Sequence, residues 1–200
     1  MKFLNRCRDR TAGFTLVELI IVLVILAILA AFTIPAMLGF VEDAKSKASV
    51  SLTREVYTAA QSAATEIYAK LGDVDITNNG DSVTSFKQKI GNKILELTKD
   101  DIGFTKVVDG EKVIAGNNDG QVKENFIEVA VQLNTSGSYN PSAFTYKNSA
   151  KVWFDRQKKD TGQFVVKAIW YVDKEGKYRI IIMEDASKPG GISTTVEKIK

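Results

Sequence analysis

From Leu19 to Val41 the chain runs 23 residues without a charged side chain, fenced by Glu18 on one side and Glu42 on the other. About 20 apolar residues at ~1.5 Å of rise each span the hydrocarbon core of a bilayer, so this stretch is a membrane-competent helix. Glu18 places a carboxylate at the edge of a segment otherwise suited to lipid. A charge there is costly, and by default it marks a function whose partner has to be found.

The flanks set the orientation. Residues 1–13 hold Lys2, Arg6, Arg8 and Arg10 against Asp9 alone, which accounts for the whole net charge of +3. Positive charge ahead of an apolar span holds that end in the cytoplasm, so the residues after about 42 are expected outside. The remainder of the chain is neutral, and nothing in it argues for a nucleic-acid partner. A secretory signal also has a basic start and an apolar middle, and the small residues of Ala27 to Ala36 would offer a conventional peptidase a site. Its apolar region is only ~7–15 residues and uncharged, however, whereas this one is longer and opens on Glu18. An ordinary single-span anchor explains length and orientation but leaves Glu18 beside Gly13-Phe14 without a reason.

There is no histidine, and the only cysteine is Cys7. Most nucleophilic triads, most zinc sites and the usual general base at neutral pH are thereby excluded. No catalytic residue, cofactor or metal is assigned, and an enzyme is not expected. If the first 13 residues were removed, the chain would have no disulfide, which an oxidising compartment permits.

Inside the run, Pro35 removes one helix hydrogen bond and is expected to kink the helix, and Gly39 lowers propensity a turn later. After Glu42 the helix continues with a different character. Val50, Val56, Tyr57, Ala60, Ala63, Ala64, Ile67, Tyr68 and Leu71 recur at three- and four-residue steps, with Lys45, Lys47, Arg54, Glu55 and Glu66 largely between them. That pattern is an amphipathic helix with one face against a domain, stopped by Gly72. The first half of this single bent helix has no partner within the chain, so it needs lipid or other subunits.

Residues 73–81 are turn-rich. Phe86, Ile90, Ile94 and Leu97 predict a short amphipathic helix, weakened by Gly91. Residues 106–114 read as a hairpin around Asp109-Gly110. Phe126 to Leu133 alternates, with Ile127, Val129, Val131 and Leu133 on one face. Residues 151–155, 163–172 and 178–183 then predict a meander, and the tail after Glu184, with Pro189-Gly190-Gly191, reads as irregular. The fold class is therefore α+β, a long N-terminal helix packed on an antiparallel sheet of about four strands. Three minor features have bland readings. Asn117-Asn118-Asp119-Gly120 lacks the spacing of a calcium loop and reads as a turn. Arg156, Lys158 and Lys159 read as a solvated hairpin tip. Of Trp153-Phe154 and Trp170-Tyr171, one of each pair is expected in the core and the other partly exposed.

The string Gly13-Phe14-Thr15-Leu16-Val17-Glu18-Leu19, after its basic leader and before an apolar helix with Pro35, resembles the class III signal of type IV pilins. The resemblance covers about the first 40 residues; beyond them the order of helix, loop and sheet is similar in architecture only. The C-terminal cysteine pair of many Gram-negative pilins is missing, which fits pilins of Gram-positive bacteria better. What the resemblance implies is a division into a leader (1–13), a membrane and polymerisation half-helix (14–41), an amphipathic half-helix (42–72) and an extracellular globular domain (73–200). It implies a prepilin peptidase that cuts between Gly13 and Phe14 and methylates the new amine of Phe14. Gly13 suits a narrow cleavage site because it has no side chain to exclude.

The resemblance gives Glu18 a part in assembly and places Pro35 where pilins often carry a helix-breaking proline. In a staggered bundle Glu18 meets a neighbour's Phe14 amine, and a buried pair is tolerated where a lone buried charge costs several kcal/mol. The implied product is a structural subunit, a major pilin of a type IV pilus serving adhesion or twitching motility. Its implied partners are copies of itself, the prepilin peptidase, the membrane before assembly and an assembly platform in it. It would sit in the cytoplasmic membrane as precursor and outside the cell as filament. The alternatives are a pseudopilin of a type II secretion or competence system and a monomeric membrane-anchored binding protein.

Overall fold

The computed structural model describes residues 13–71, 80–118, 122–132, 144–156, 164–185, 187 and 191–199. They form two compact units, one ending at Ala44 and the other beginning at Lys45. Helix α1 (Leu16–Leu71) is 56 residues long and supplies both. In the first unit, among the described residues, it has no packing partner: every large apolar side chain from Leu16 to Val41 is about half exposed or more. The helix runs unbroken past Pro35, which has no N–H to donate, and Gly39.

In the second unit α1 has the buried face that its periodicity predicts, with Val56, Ala60, Ala63 and Ala64 almost fully covered and Ile67 close behind. The alanines keep that face shallow. Two polar residues, Ser49 and Thr53, are buried there because their hydroxyls donate to the carbonyls one turn back, at 3.0 and 2.7 Å. Gln61 reaches further, its Oε1 accepting the backbone N–H of Val166 at 3.2 Å. That N–H belongs to a strand opposite a register shift, where the ladder is irregular and an acceptor from the helix is needed.

Among the described residues, seven strands follow the second helix, α2 (Gly80–Thr98). They are β1 (Lys106–Asp109), β2 (Lys112–Gly116), β3 (Phe126–Gln132), β4 (Ser149–Arg156), β5 (Phe164–Val172), β6 (Tyr178–Asp185) and β7 (Gly191–Lys198). One sheet holds them in the order β2-β1-β3-β4-β5-β6-β7. The predicted α+β layout stands, with a mostly antiparallel sheet, and the strand count rises from about four to seven. Two joints, β1 with β3 and β3 with β4, are parallel. The tail expected to be irregular contains β7, paired with β6 over its whole length.

The hairpin at Asp109-Gly110 forms as predicted, with Asp109 opposite Lys112 and Gly110 at φ 61°, where a side chain would be strained. In α2, Phe86, Ile90 and Ile94 are buried, but Leu97 is exposed and Thr98 is buried in its place. Thr98 ends the helix, its carbonyl accepting the N–H groups of Ile102 and Gly103. Gly91, read as a weakness, is a contact: a Cβ there would lie 2.3 Å from Cγ1 of Val107 on β1.

Each face of the sheet has its own apolar cluster. The face under α1 and α2 gathers Ile127, Val152, Phe154, Ile169, Tyr171, Ile180 and Ile182. The other face holds Phe126, Phe144, Trp170, Val172 and Ile181, with Trp153 packed against them. Phe154 and Tyr171 thus point to the helices and Trp153 and Trp170 away, the two indoles meeting edge to face at 5.6 Å.

The parallel joints are pinned at one corner. Asn125 and Asn148 both have left-handed backbones, at φ 58° and 44°. The Asn148 Nδ2 donates to Asn125 Oδ1 at 2.9 Å and to the Ile102 carbonyl at 3.2 Å, while the Tyr171 hydroxyl donates to Asn148 Oδ1 at 3.2 Å. Burial, with help from the Asp173 and Glu55 carboxylates, pushes the Tyr171 phenol well above its ordinary pKa. It stays a donor.

The Gly72 stop, the leader through residue 12, the acidic half of the Asn117–Gly120 turn, and Lys158 and Lys159 lie outside the described residues.

Candidate functional site

The segment singled out by the sequence, Gly13 to Glu18, enters the helix through a capping box. Thr15 is the residue before the first helical position and Glu18 is the third within it. The Glu18 N–H donates to the Thr15 Oγ1 at 3.2 Å. In return the Glu18 Oε2 accepts the Thr15 backbone N–H at 2.9 Å and the Thr15 hydroxyl at 2.8 Å. Two donors that the start of a helix leaves without partners are satisfied reciprocally. The carboxylate also sits at the positive end of the helix dipole. The Thr-x-x-Glu signature ahead of an apolar run is the sequence signal for this cap.

This arrangement answers how one carboxylate survives at the edge of a lipid-suited segment. In the single chain Glu18 has its own partner, and that partner is Thr15. A neighbour's amine would have to compete with two hydrogen bonds for it. The next polar group inward, Thr33, is also self-satisfied, its hydroxyl donating to the carbonyl of Leu29 at 3.0 Å.

Two glycines here are not explained by the fold. A Cβ added at Gly13 or at Gly39 would meet nothing within 4 Å. Neither residue is required by packing or by a left-handed backbone, in contrast to Gly91 and Gly110. Phe14 is 88 % exposed. The site as a whole is a polar cap on an apolar rod. The helix contains an 18-residue window of mean hydropathy 3.0, none of it buried, and is long and apolar enough to cross a membrane.

Elsewhere, among the described residues, no group of three or more His, Cys, Asp or Glu side chains is placed to hold a metal ion. An open cleft of about 420 Å³ lies between the end of α1 and α2, lined by Glu66, Ile67, Lys70, Lys89, Asn92, Lys93 and Glu96. Its charges are largely paired with one another. Glu66 takes Lys70 at 2.6 Å and Lys93 at 3.3 Å, and Lys93 also reaches Glu96 at 3.1 Å.

Comparison with known proteins bears on the N-terminal segment. Residues 8–34 match the family model of the prokaryotic N-terminal methylation motif, which takes in the basic residues from Arg8, the Gly13-Phe14 step, the capping box and most of the apolar run. No curated protein and no solved structure matches the chain.

Proposed function

We propose, from the premise that the N-terminal segment is that of a type IV pilin-like prepilin, that the chain is a structural filament subunit, a major pilin. The observation that carries this reading is a methylation motif seated on a helix whose apolar side chains are exposed on every side. A surface of that kind is stable only in lipid or against other helices. Processing would begin with cleavage between Gly13 and Phe14 by a prepilin peptidase, followed by methylation of the Phe14 amine. Gly13 is free of any demand from the fold, which leaves the peptidase as the reason for its identity.

Assembly would then pass each subunit from lipid into a bundle of α1 helices. Apolar burial supplies the holding energy at ~25 cal/mol per Å² relative to water, and extraction from lipid offsets much of it, so the reading includes an energy-driven assembly platform. Glu18 would exchange its Thr15 hydrogen bonds for the Phe14 amine of a neighbour. A buried charge left without a partner costs several kcal/mol, so the pair penalises wrong register more than it adds stability. Pro35 and Gly39 would let the helix bend as it is packed. The filament would stand outside the cell and serve adhesion or surface motility.

The test is mass spectrometry of the N-terminal peptide from material sheared off cells, for the natural chain and for Glu18→Ala. A chain beginning at N-methyl-Phe14, abundant in long filaments and lost with Glu18→Ala despite normal processing, is the expected result. The same terminus confined to the envelope would indicate a pseudopilin instead. An unprocessed chain, or one cut near Ala36, would refute the reading.

A further inference from the structure

The start of α1 decides more than where the helix begins. A helix is entered through an N-cap, a residue outside helical geometry whose carbonyl already takes the first intrahelical bond. Here that residue is Thr15: its carbonyl accepts the Leu19 N–H at 3.2 Å, and residues 13–15 lie outside the helix. The scissile bond of the proposed processing, between Gly13 and Phe14, therefore stands just ahead of the cap, and Phe14 is exposed. Proteases grip the main chain of their substrates in extended form, through the N–H and C=O groups on either side of the bond that is cut. A bond inside the first turn of a helix has those groups turned into the helix ladder.

The Thr15 hydroxyl sits at the point where that outcome is decided. The Glu18 N–H donates to Thr15 Oγ1 at 3.2 Å. In a helix lengthened by one residue the same N–H would donate to the Phe14 carbonyl, four positions back. The hydroxyl thus takes the donor that a longer helix needs. Glu18 Oε2 adds to the hold from the other side by accepting the Thr15 N–H at 2.9 Å. Without the hydroxyl, the next capable cap upstream is Gly13, since glycine is favoured at that position. A start at Gly13 hands its carbonyl, the one under attack, to the Val17 N–H and puts Phe14 in the first turn.

We infer that Thr15 is a positioning residue for the cleavage: by capping α1 it keeps the Gly13–Phe14 bond outside the helix and open to a prepilin peptidase. The inference rests on the prepilin reading for the enzyme, and the match of residues 8–34 to the methylation motif supports that choice. Hydrolysis breaks the bond between the Gly13 carbonyl carbon and the Phe14 nitrogen. The hydroxyl of water goes to the carbon and its proton to the leaving amine. Thr15 acts on this step only through where the helix starts. The capping box thus has two separable parts. Glu18→Ala keeps the main-chain N–H that Thr15 accepts, so the cut survives loss of the carboxylate, while loss of the Thr15 hydroxyl strikes the cut itself.

The experiment reconstitutes the full chain with purified prepilin peptidase in lipid vesicles and measures kcat and KM for release of residues 1–13. Thr15→Val keeps the shape of threonine without the hydroxyl, and Thr15→Asn keeps a capping side chain without the shape. A cap shifts the balance between two helix starts by roughly two- to thirtyfold. A substrate only partly in its competent form shows a weaker apparent affinity. The expected result for Thr15→Val is a KM about threefold or more above that of the natural chain with kcat nearly unchanged. Thr15→Asn is expected to match the natural chain, and the thermal midpoint of the second unit to be the same in all three. Cutting of Thr15→Val as in the natural chain overturns the inference and leaves the prepilin reading intact. Impaired cutting of both variants, restored only in Thr15→Ser, assigns the hydroxyl to a direct contact with the peptidase and overturns it too. A natural chain that is never cut overturns the prepilin reading and the inference with it.

Discussion

At the scale of the residue, Thr15 and Gly91 carry more than their types announce. Thr15→Ala removes the side-chain half of the capping box and is expected to weaken the start of α1 by about 1 kcal/mol, while Thr15→Ser is nearly silent. Amide exchange of Glu18 in detergent checks this, because its N–H donates to the Thr15 hydroxyl. Exchange as slow in the alanine variant as in the natural chain would refute it. Gly91→Ala raises helix propensity and still is expected to destabilise by about 1–3 kcal/mol, since its methyl collides with Val107. Denaturant melts of Gly91→Ala, and of the same change with Val107→Ala, test it. Relief by the second substitution is the expected sign of a steric cause.

At the scale of the element, the hold of α1 on the sheet depends on a few polar ties as well as on its alanine face. Gln61→Leu leaves the Val166 N–H without its acceptor and is expected to cost about 1–3 kcal/mol in a denaturant melt. A second tie lies at the β5–β6 turn, where Glu175 takes Lys45 of α1 at 2.6 Å and Lys177 at 3.1 Å. Hydrogen bonds from Lys45 and then Lys177 hold the Glu175 carboxyl below its ordinary range. A carboxylate with a lowered folded pKa contributes stability at neutral pH that is lost as the pH falls through that pKa. The midpoint difference between the natural chain and Glu175→Gln should therefore shrink to nothing in acid, and a difference that persists there would refute the tie.

Elements were legible in the sequence in proportion to their periodicity. The repeat from Val56 to Ile67 and the alternation from Ile127 to Val131 announced their faces. Strand β7 did not, because an edge strand of Ile-Ser-Thr-Thr-Val-Glu is buried on neither face and follows Pro189-Gly190-Gly191. The parallel joints were invisible for another reason. They are set by two asparagines with left-handed backbones that meet across 23 positions of chain. At the candidate site, Gly13, Phe14 and Glu18 stood out as a motif, whereas the Thr15 partner needed helix-capping logic rather than charge.

At the scale of the molecule, the two units differ in what they need. The apolar clusters of the sheet draw on α1 only from Val50 onward. A chain beginning at Lys45 is therefore expected to fold alone, with a thermal midpoint within a few degrees of that of the full chain in detergent; failure to fold would refute this. The order of the core along the chain has a consequence of its own. The buried face of α1 is complete by Ile67, but the strands that cover it include Ile169, Tyr171, Ile180 and Ile182, more than 100 positions later. Chains are made from the N-terminus, and closing loops of that length is slow. Until β5 and β6 are made, the alanine face of the helix lacks part of its cover. Truncation ahead of β5 thus removes part of the lid from the first element made, and a shortened chain is a substrate for proteases before it is a weaker subunit.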